Sequence, residues 1–312
     1  MNTQIQEILN ALAKVTEKTA CKTFSQFGKM NKHEADKLAV EEMRAELAKL
    51  PFRSRVIIGE GEKDDAPMLY EDEILGGDGF EIDIAVDPLE CTTNFAKGLP
   101  NSLSVIAFTE KDGLHRVPGT YMEQWIASPQ MKQPFTPEEA VEKNLEKLAE
   151  SLQKKVSELL IVVQDRPRHK ELIERIRKMG AGISLIDSGS LTCILDICLE
   201  KGNYDALIGT YGAPEGLIGA VVAKATGSEF KGIIRAHEEK HREKWITSGR
   251  GEEEILDKED LVPGKIFGFV ATGISGNSVL NGLHKKKQTI SGETLLLSKE
   301  IYTIKKFEED LK

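Results

Sequence analysis

The chain has 312 residues, a formal net charge of -9, and 40% hydrophobic and 30% charged residues. That composition suits a globular protein with a substantial core, and its acidic balance excludes a sequence-independent nucleic-acid binder, which needs a basic surface. No apolar run approaches a membrane span and the first residues lack the pattern of a signal peptide, so a cytoplasmic protein without membrane partners is expected. Its cysteines (Cys21, Cys91, Cys193, Cys198) are then reduced thiols.

Apolar residues at helical spacing (Ile5, Ile8, Leu9, Leu12) predict a helix over 3–22, and a second runs from about His33 to Leu50 after the Gly28–Asn31 break. Asp36 falls in the first turn of that second helix, where interaction with the helix dipole accounts for it. Arg55–Gly59 reads as a strand that ends in Glu60-Gly61-Glu62, and a short helical piece is expected near Met68–Leu75. Phe80–Val86 is the next strand, stopped by Pro88, with Asn101–Thr109 after it. A long charged helix is expected over 137–155, opening at Thr136-Pro137.

Beyond it strands and helices alternate: strand 159–163, helix 168–179, strand 183–186, helix 191–200, strand 206–208 and helix 214–226. This alternation implies a layered α/β sheet. A charged stretch around 237–254 reads as exposed; strands follow at 266–271, 294–298 and 301–305. Proline clustering suggests a boundary near 130, dividing residues 1–130 from 131–312 as two halves of one packed unit.

The chemistry concentrates at 60–90, where twelve acidic residues face one base, Lys63. Acids this dense repel one another unless solvated, protonated or neutralised by cations. In Asp87-Pro88-Leu89-Glu90 a helical turn after the strand would bring the two carboxylates to one side, offering the oxygen ligands that hard divalent cations take. Thr92, Thr93 and the free amides of that turn could hold a phosphate oxygen. Glu215 in Gly212-Ala-Pro-Glu-Gly216 follows a strand in the same way, although first-turn capping explains it equally well. Arg166-Pro167-Arg168 can make forked contacts to an anion, and Ser188-Gly189-Ser190 can cradle one or simply cap a helix. The P-loop, the dinucleotide glycine motif and the G-x-S-x-G elbow are all absent. Metal-assisted hydrolysis of a phosphate ester uses all that remains.

VIIGEGEKDDAPMLY, IDIAVDPLECT, YGAPEG, FVATGISGNSVLNG and SGETLLL, in this order, resemble the class II (GlpX-type) fructose-1,6-bisphosphatases, within the metal-dependent, lithium-sensitive sugar and inositol phosphatases. The resemblance implies a layered α-β-α-β-α sandwich and removal of the 1-phosphate of fructose 1,6-bisphosphate. It implies Mg²⁺ or Mn²⁺ held by Asp36, Glu60, Asp87, Glu90 and Glu215. Thr92 would orient the attacking water, with Lys32 and Asp64 close to the reacting phosphate. Residues 90–92 (Glu90, Cys91, Thr92), Tyr121, Arg166, Arg168, Ser188, Gly189, Ser190 and Gly212 would hold the sugar phosphate. A homo-oligomer, dimer or tetramer, is expected.

Two positions depart from the family. Cys91 stands where the family has glycine, and Ser188-Gly189-Ser190 replaces an Asp-Gly-Asp. A Cβ at 91 would crowd a phosphate or oppose a left-handed backbone. The same chemistry on sedoheptulose 1,7-bisphosphate, an inositol phosphate or a phosphorylated nucleotide is the alternative. A non-catalytic sugar-phosphate-binding protein is the alternative of another class.

Overall fold

Ile8, Leu9, Leu12 and Ala13 are completely or almost completely buried on one stripe of the first helix, α1 (Asn2–Thr23), so the 3.6-residue period of the sequence is used as expected. The computed structural model describes residues 2–60, 68–118 and 120–310. Along the chain follow α2 (Lys32–Leu47), β1 (Arg53–Ile58), β2 (Ile74–Gly76), β3 (Glu81–Glu90), α3 (Thr92–Lys97) and β4 (Leu103–Glu110). Then come β5 (Tyr121–Ala127), α4 (Val141–Leu152), β6 (Leu160–Gln164), α5 (Lys170–Lys178), β7 (Gly182–Ile186), α6 (Ser190–Cys198), β8 (Ala206–Gly212), α7 (Ala213–Thr226), β9 (Glu229–Arg235), α8 (Glu239–Thr247), β10 (Leu256–Asp257) and α9 (Lys258–Leu261). Four strands close the chain: β11 (Phe267–Gly273), β12 (His284–Lys286), β13 (Thr289–Leu297) and β14 (Tyr302–Asp310).

These elements form two units, one of Met1–Arg116 with Pro263–Lys312 and one of Val117–Val262. The division differs from the one expected near 130. β11 pairs antiparallel with β4, carrying the last strands into the first sheet, and β5 already belongs to the second. The first sheet runs β12-β13-β11-β4-β3-β1-β2, with β14 on β13; the second runs β10-β9-β5-β8-β6-β7. The α/β class is as expected.

In the first unit α1 and α2 lie on the sheet. Leu9, Leu12, Met43 and Leu47 share a buried cluster with Val56, Ile84, Val86 and Phe108. In the second, side chains alternate across the sheet. Trp125 and Ala127 on β5 join Leu145, Leu148 and Ile176 of α4 and α5. Ile126, between them, comes close to Gly219 of α7, with Ile194 of α6 beside it. Among the described residues no helix is long and apolar enough to cross a membrane.

Several local expectations are corrected. Residues 68–76 hold the short strand β2 rather than a helical piece, because Arg53–Arg55 pair antiparallel with Ile74–Gly76. The strand expected to stop at Pro88 continues to Glu90. A register shift lies between Asp87↔Val105 and Glu90↔Leu103, so Pro88 and Leu89 together face Ser104 in a β-bulge, one of the few places a sheet tolerates a residue without an N–H. α4 begins after Ala140, not at Thr136, whose carbonyl instead accepts the Glu139 N–H in a turn. Inside the stretch read as exposed, α8 forms, and its Trp245 is 3% exposed.

Candidate active site

The bulge decides where the carboxylates at the end of β3 point. In an unbroken strand residues three apart face opposite sides. Asp87 and Glu90 pair with Val105 and Leu103, two apart on β4, so the extra residue puts both carboxylates on one face. The helical turn expected here is not what aligns them. Glu90 is buried, and the Asp87 carboxylate accepts the Leu89 N–H at 3.1 Å. β1 runs parallel beside β3, in register as far as Ile58↔Ala85, so Glu60 and Asp87 stand two residues beyond the last pair, at the same end of the sheet. Gly59 is required there, since a Cβ would lie 2.0 Å from the Leu69 carbonyl oxygen.

Cys91 caps α3 with φ 65° and ψ 42°, the left-handed conformation that glycine adopts freely. This turn presents Thr92, whose hydroxyl lies 2.9 Å from Asp36 Oδ1 and 3.0 Å from the Leu89 carbonyl oxygen. Asp36 lies past the first turn of α2; Asn31 caps that helix by accepting the Glu34 N–H, and Glu34 is the first-turn acid. The dipole reading of Asp36 therefore falls, and its observed contact is Thr92. Lys32, at the start of α2, donates to Thr93 Oγ1 at 2.7 Å.

Most other acids of the 60–90 stretch pair with bases from elsewhere. Glu73, 4% exposed, takes Arg44 at 2.7 Å and the Leu69 N–H at 2.7 Å. Asp83, fully buried, holds Arg55 in a fork of 2.8 and 2.9 Å. Burial pushes the Asp83 carboxyl up while Arg55 opposes that shift. Asp78 and Glu81 bind Arg53, and Glu71 and Asp72 bind Arg116. The described acids thus sort into structural ion pairs and strand-end carboxylates. Asp64 lies outside the described residues. Among the described residues no three acidic, histidine or cysteine side chains are gathered closely enough to enclose a metal.

The second unit gathers the remaining expected residues at the end of its own sheet. Arg166 follows β6 and donates to the Asp187 carbonyl at 2.8 Å, immediately before Ser188. Gly189 is the N-cap of α6 with φ 89°. Arg168 donates to the Thr210 carbonyl (2.8 and 3.0 Å) and to Gln164 Oε1 (2.7 Å), and lies 4.8 Å from the Tyr121 ring centre. All these acceptors are neutral, so both guanidiniums keep their charge for an anion. Tyr121 pairs across the sheet with Gly212. A Cβ at Gly212 would lie 1.8 Å from Glu215 Oε2, so glycine lets that carboxylate fold back over the strand end.

Buried His169 braces this edge, with Nδ1 at 2.7 Å from the Gln164 carbonyl and Nε2 accepting the Thr210 N–H at 2.8 Å. The second contact requires an unprotonated Nε2, so the ring is neutral with its proton on Nδ1. Burial lowers its pKa accordingly.

Tyr121 and Arg168 also line a cavity of about 430 Å³ with Arg235, His237, Arg242 and Trp245. The sequence reading did not single out these last four. Arg235 binds Glu123 (2.6 Å) and Glu253, Arg242 binds Glu252 (2.8 Å), and His237 lies 3.0 Å from Thr120 Oγ1 with its ring centre 5.0 Å from that of Tyr121. Only the run of basic residues at 235–244 hinted at them.

Residues 6–310 match the family described as bacterial fructose-1,6-bisphosphatase, glpX-encoded. The chain belongs to this family. It is 36% identical over 320 residues to the D-fructose 1,6-bisphosphatase class 2/sedoheptulose 1,7-bisphosphatase of Synechococcus sp. (strain JA-2-3B'a(2-13)), covering 94% of this chain and 92% of that protein. It is 34% identical over 318 residues to the protein of the same name from Synechocystis sp. (strain ATCC 27184 / PCC 6803 / Kazusa), with the same coverage. Among solved structures, the extragenic suppressor protein SuhB of Bartonella henselae covers 61% of this chain and 71% of its own at 15% identity and a TM-score of 0.35, too loose a likeness to argue from. The left-handed backbone at Cys91, φ 65°, is one that the glycine expected there from the resemblance would adopt without strain.

Proposed function

We propose that this member of the GlpX family is a metal-dependent phosphatase that removes the 1-phosphate of fructose 1,6-bisphosphate. Sedoheptulose 1,7-bisphosphate is its second substrate, a reading supported by the names of the relatives. The observation that carries it is the Thr92 hydroxyl between Asp36 and the Leu89 carbonyl, beside the carboxylates at the end of β3. That hydroxyl has one proton and two acceptors in reach, so its lone pairs are turned to a further donor. A water donating to Thr92 Oγ1 is held in orientation, and its proton is directed toward the Asp36–Thr92 pair. Lys32 has two further N–H groups beyond the one given to Thr93, suited to phosphate oxygens.

Asp36, Glu60, Asp87 and Glu90 in the first unit offer only oxygen, the donor type that Mg²⁺ and Mn²⁺ take, and would be the carboxylates to hold the cation, while Glu215 offers the same donor in the second unit; as they stand, no three of them lie close enough to enclose a cation. Such a cation supplies neutralisation of phosphoryl charge and acidifies bound water. Tyr121, Arg166, Arg168, Gly212 and the Ser188-Gly189-Ser190 turn would hold the sugar and its second phosphate by charge and backbone N–H groups. The four cysteines are buried free thiols, which suits a cytoplasmic enzyme.

The test is phosphate release from fructose 1,6-bisphosphate with Mg²⁺ or Mn²⁺, and its loss in Asp87→Ala. Absence of release with either metal refutes the proposal; tight binding without turnover would mark a sugar-phosphate-binding protein instead.

A further inference from the structure

Two consecutive side chains, Arg168 and His169, hold the same two residues by different groups. Both belong to the single 3-10 turn Pro167–His169 between β6 and α5. His169 takes backbone: Nδ1 donates to the Gln164 carbonyl at 2.7 Å, and Nε2 accepts the Thr210 N–H at 2.8 Å. Arg168 takes what those residues have left, the Thr210 carbonyl at 2.8 and 3.0 Å and Gln164 Oε1 at 2.7 Å. The guanidinium held in this way lies 4.8 Å from the Tyr121 ring centre. Gln164 also donates through Nε2 to the Asp187 carbonyl at 3.1 Å, the acceptor that Arg166 uses at 2.8 Å.

The fold makes room for the imidazole. β6 and β8 pair in parallel as far as Val162↔Leu207, and past that pair the ring links the two chains. Gly209, at φ 146°, admits it, since a Cβ there would lie 3.1 Å from Nε2. His169 is 3% exposed and both its nitrogens are taken, so what it contributes to a ligand passes through Gln164 and Thr210.

We infer that His169 is a positioning residue for the sugar's second phosphate: it fixes Gln164 and Thr210, and these aim the Arg168 guanidinium across the Tyr121 ring. The inference deepens the proposed reaction and rests on its reading of Tyr121 and Arg168 as holding that phosphate. An arginine side chain has many rotamers, and freezing one of them on binding costs affinity. Three hydrogen bonds to two fixed residues set the rotamer of Arg168 before the ligand arrives.

Calorimetric titration with fructose 6-phosphate tests this without turnover, because that molecule carries the second phosphate and lacks the one removed. His169→Ala is expected to raise its Kd about tenfold, as Arg168 loses its aim. His169→Gln, whose amide keeps an acceptor near the place of Nε2, should recover part of the affinity. A variant that was merely unstable would lower the fraction of molecules that bind and leave the Kd of the rest unchanged. Arg168→Gln should raise Kd by itself, and in that background His169→Ala should add less than about twofold, because the side chain it positions is gone. An unchanged Kd in His169→Ala, or a rise of the same size in the Arg168→Gln background, would overturn the inference and leave the reading of Arg168 standing. A wild type that does not bind fructose 6-phosphate, or Arg168→Gln binding it as the wild type does, would overturn that reading and the inference with it.

Discussion

Replacing Cys91 measures the strain stored in the turn that presents Thr92. The residue is 5% exposed and sits at φ 65°, where an L-residue brings Cβ against the following carbonyl. That conformation costs roughly 1–2 kcal/mol for any side chain with a Cβ. Cys91→Ala and Cys91→Gly both remove the sulfur, so the pair isolates the Cβ. Glycine relieves the strain but adds about 0.4–1 kcal/mol of unfolded-state entropy, leaving it more stable than alanine by about 0.5–1 kcal/mol. For a chain of this size that is roughly 1–3 °C in Tm. Cys91→Val should fall below alanine, because a β-branched side chain is least tolerated at positive φ. Thermal unfolding monitored by circular dichroism gives the order, expected as Gly above Ala above Val. Alanine as stable as glycine would show that the turn is not strained and refute the argument.

Thr92→Ala should lower kcat by about 10²-fold or more while leaving KM within a few-fold, because orientation of water is lost and not substrate binding. Thr92→Ser, which keeps the hydroxyl, should recover most of it; a kcat for Thr92→Ala near the wild type rejects the role. Asp83→Ala removes the buried carboxylate of a forked pair but leaves Arg55 partly exposed and bound to Asp112 at 2.6 Å, so it should destabilise the protein by about 1.5–3 kcal/mol in denaturant unfolding, against less than about 1 kcal/mol if the pair were an ordinary surface bridge. Burial lowers the His169 pKa in the folded state, so the unfolded chain takes up the proton first as pH falls. Stability contributed by neutral His169 is complete above the ordinary histidine pKa near 6.5 and is lost below it, by at most about 1.4 kcal/mol per pH unit, until the folded state also protonates. Unfolding free energies measured from neutral to mildly acidic pH should show that slope in the wild type and a shallower one in His169→Leu; parallel slopes would reject it.

The acids illustrate how far sequence reasoning carries. Counting them against Lys63 alone made 60–90 look uniformly repulsive, yet Arg44, Arg53, Arg55 and Arg116 meet six of them in the folded chain. None of those four arginines lies within the acidic run except by folding. His169 and the cavity of Arg235, His237 and Arg242 were likewise unreadable, since each depends on strands brought side by side from distant parts of the chain.

By itself the sequence determined what acts over a few residues. The apolar period set α1 and α2, the alternation of strands and helices set most of the second sheet, and proline and glycine marked the strand-to-helix junctions that carry Arg166 and Glu215. Tertiary structure decided what required a partner. β4 holds β3 past Pro88 by absorbing an extra residue, and that bulge, rather than a helical turn, turns Asp87 and Glu90 to one face. β11 returns the end of the chain to the first sheet. The physical reason is common to all of these: dihedral preferences and side-chain period are properties of a short segment, whereas strand register and ion pairing are set by neighbours far away in the chain.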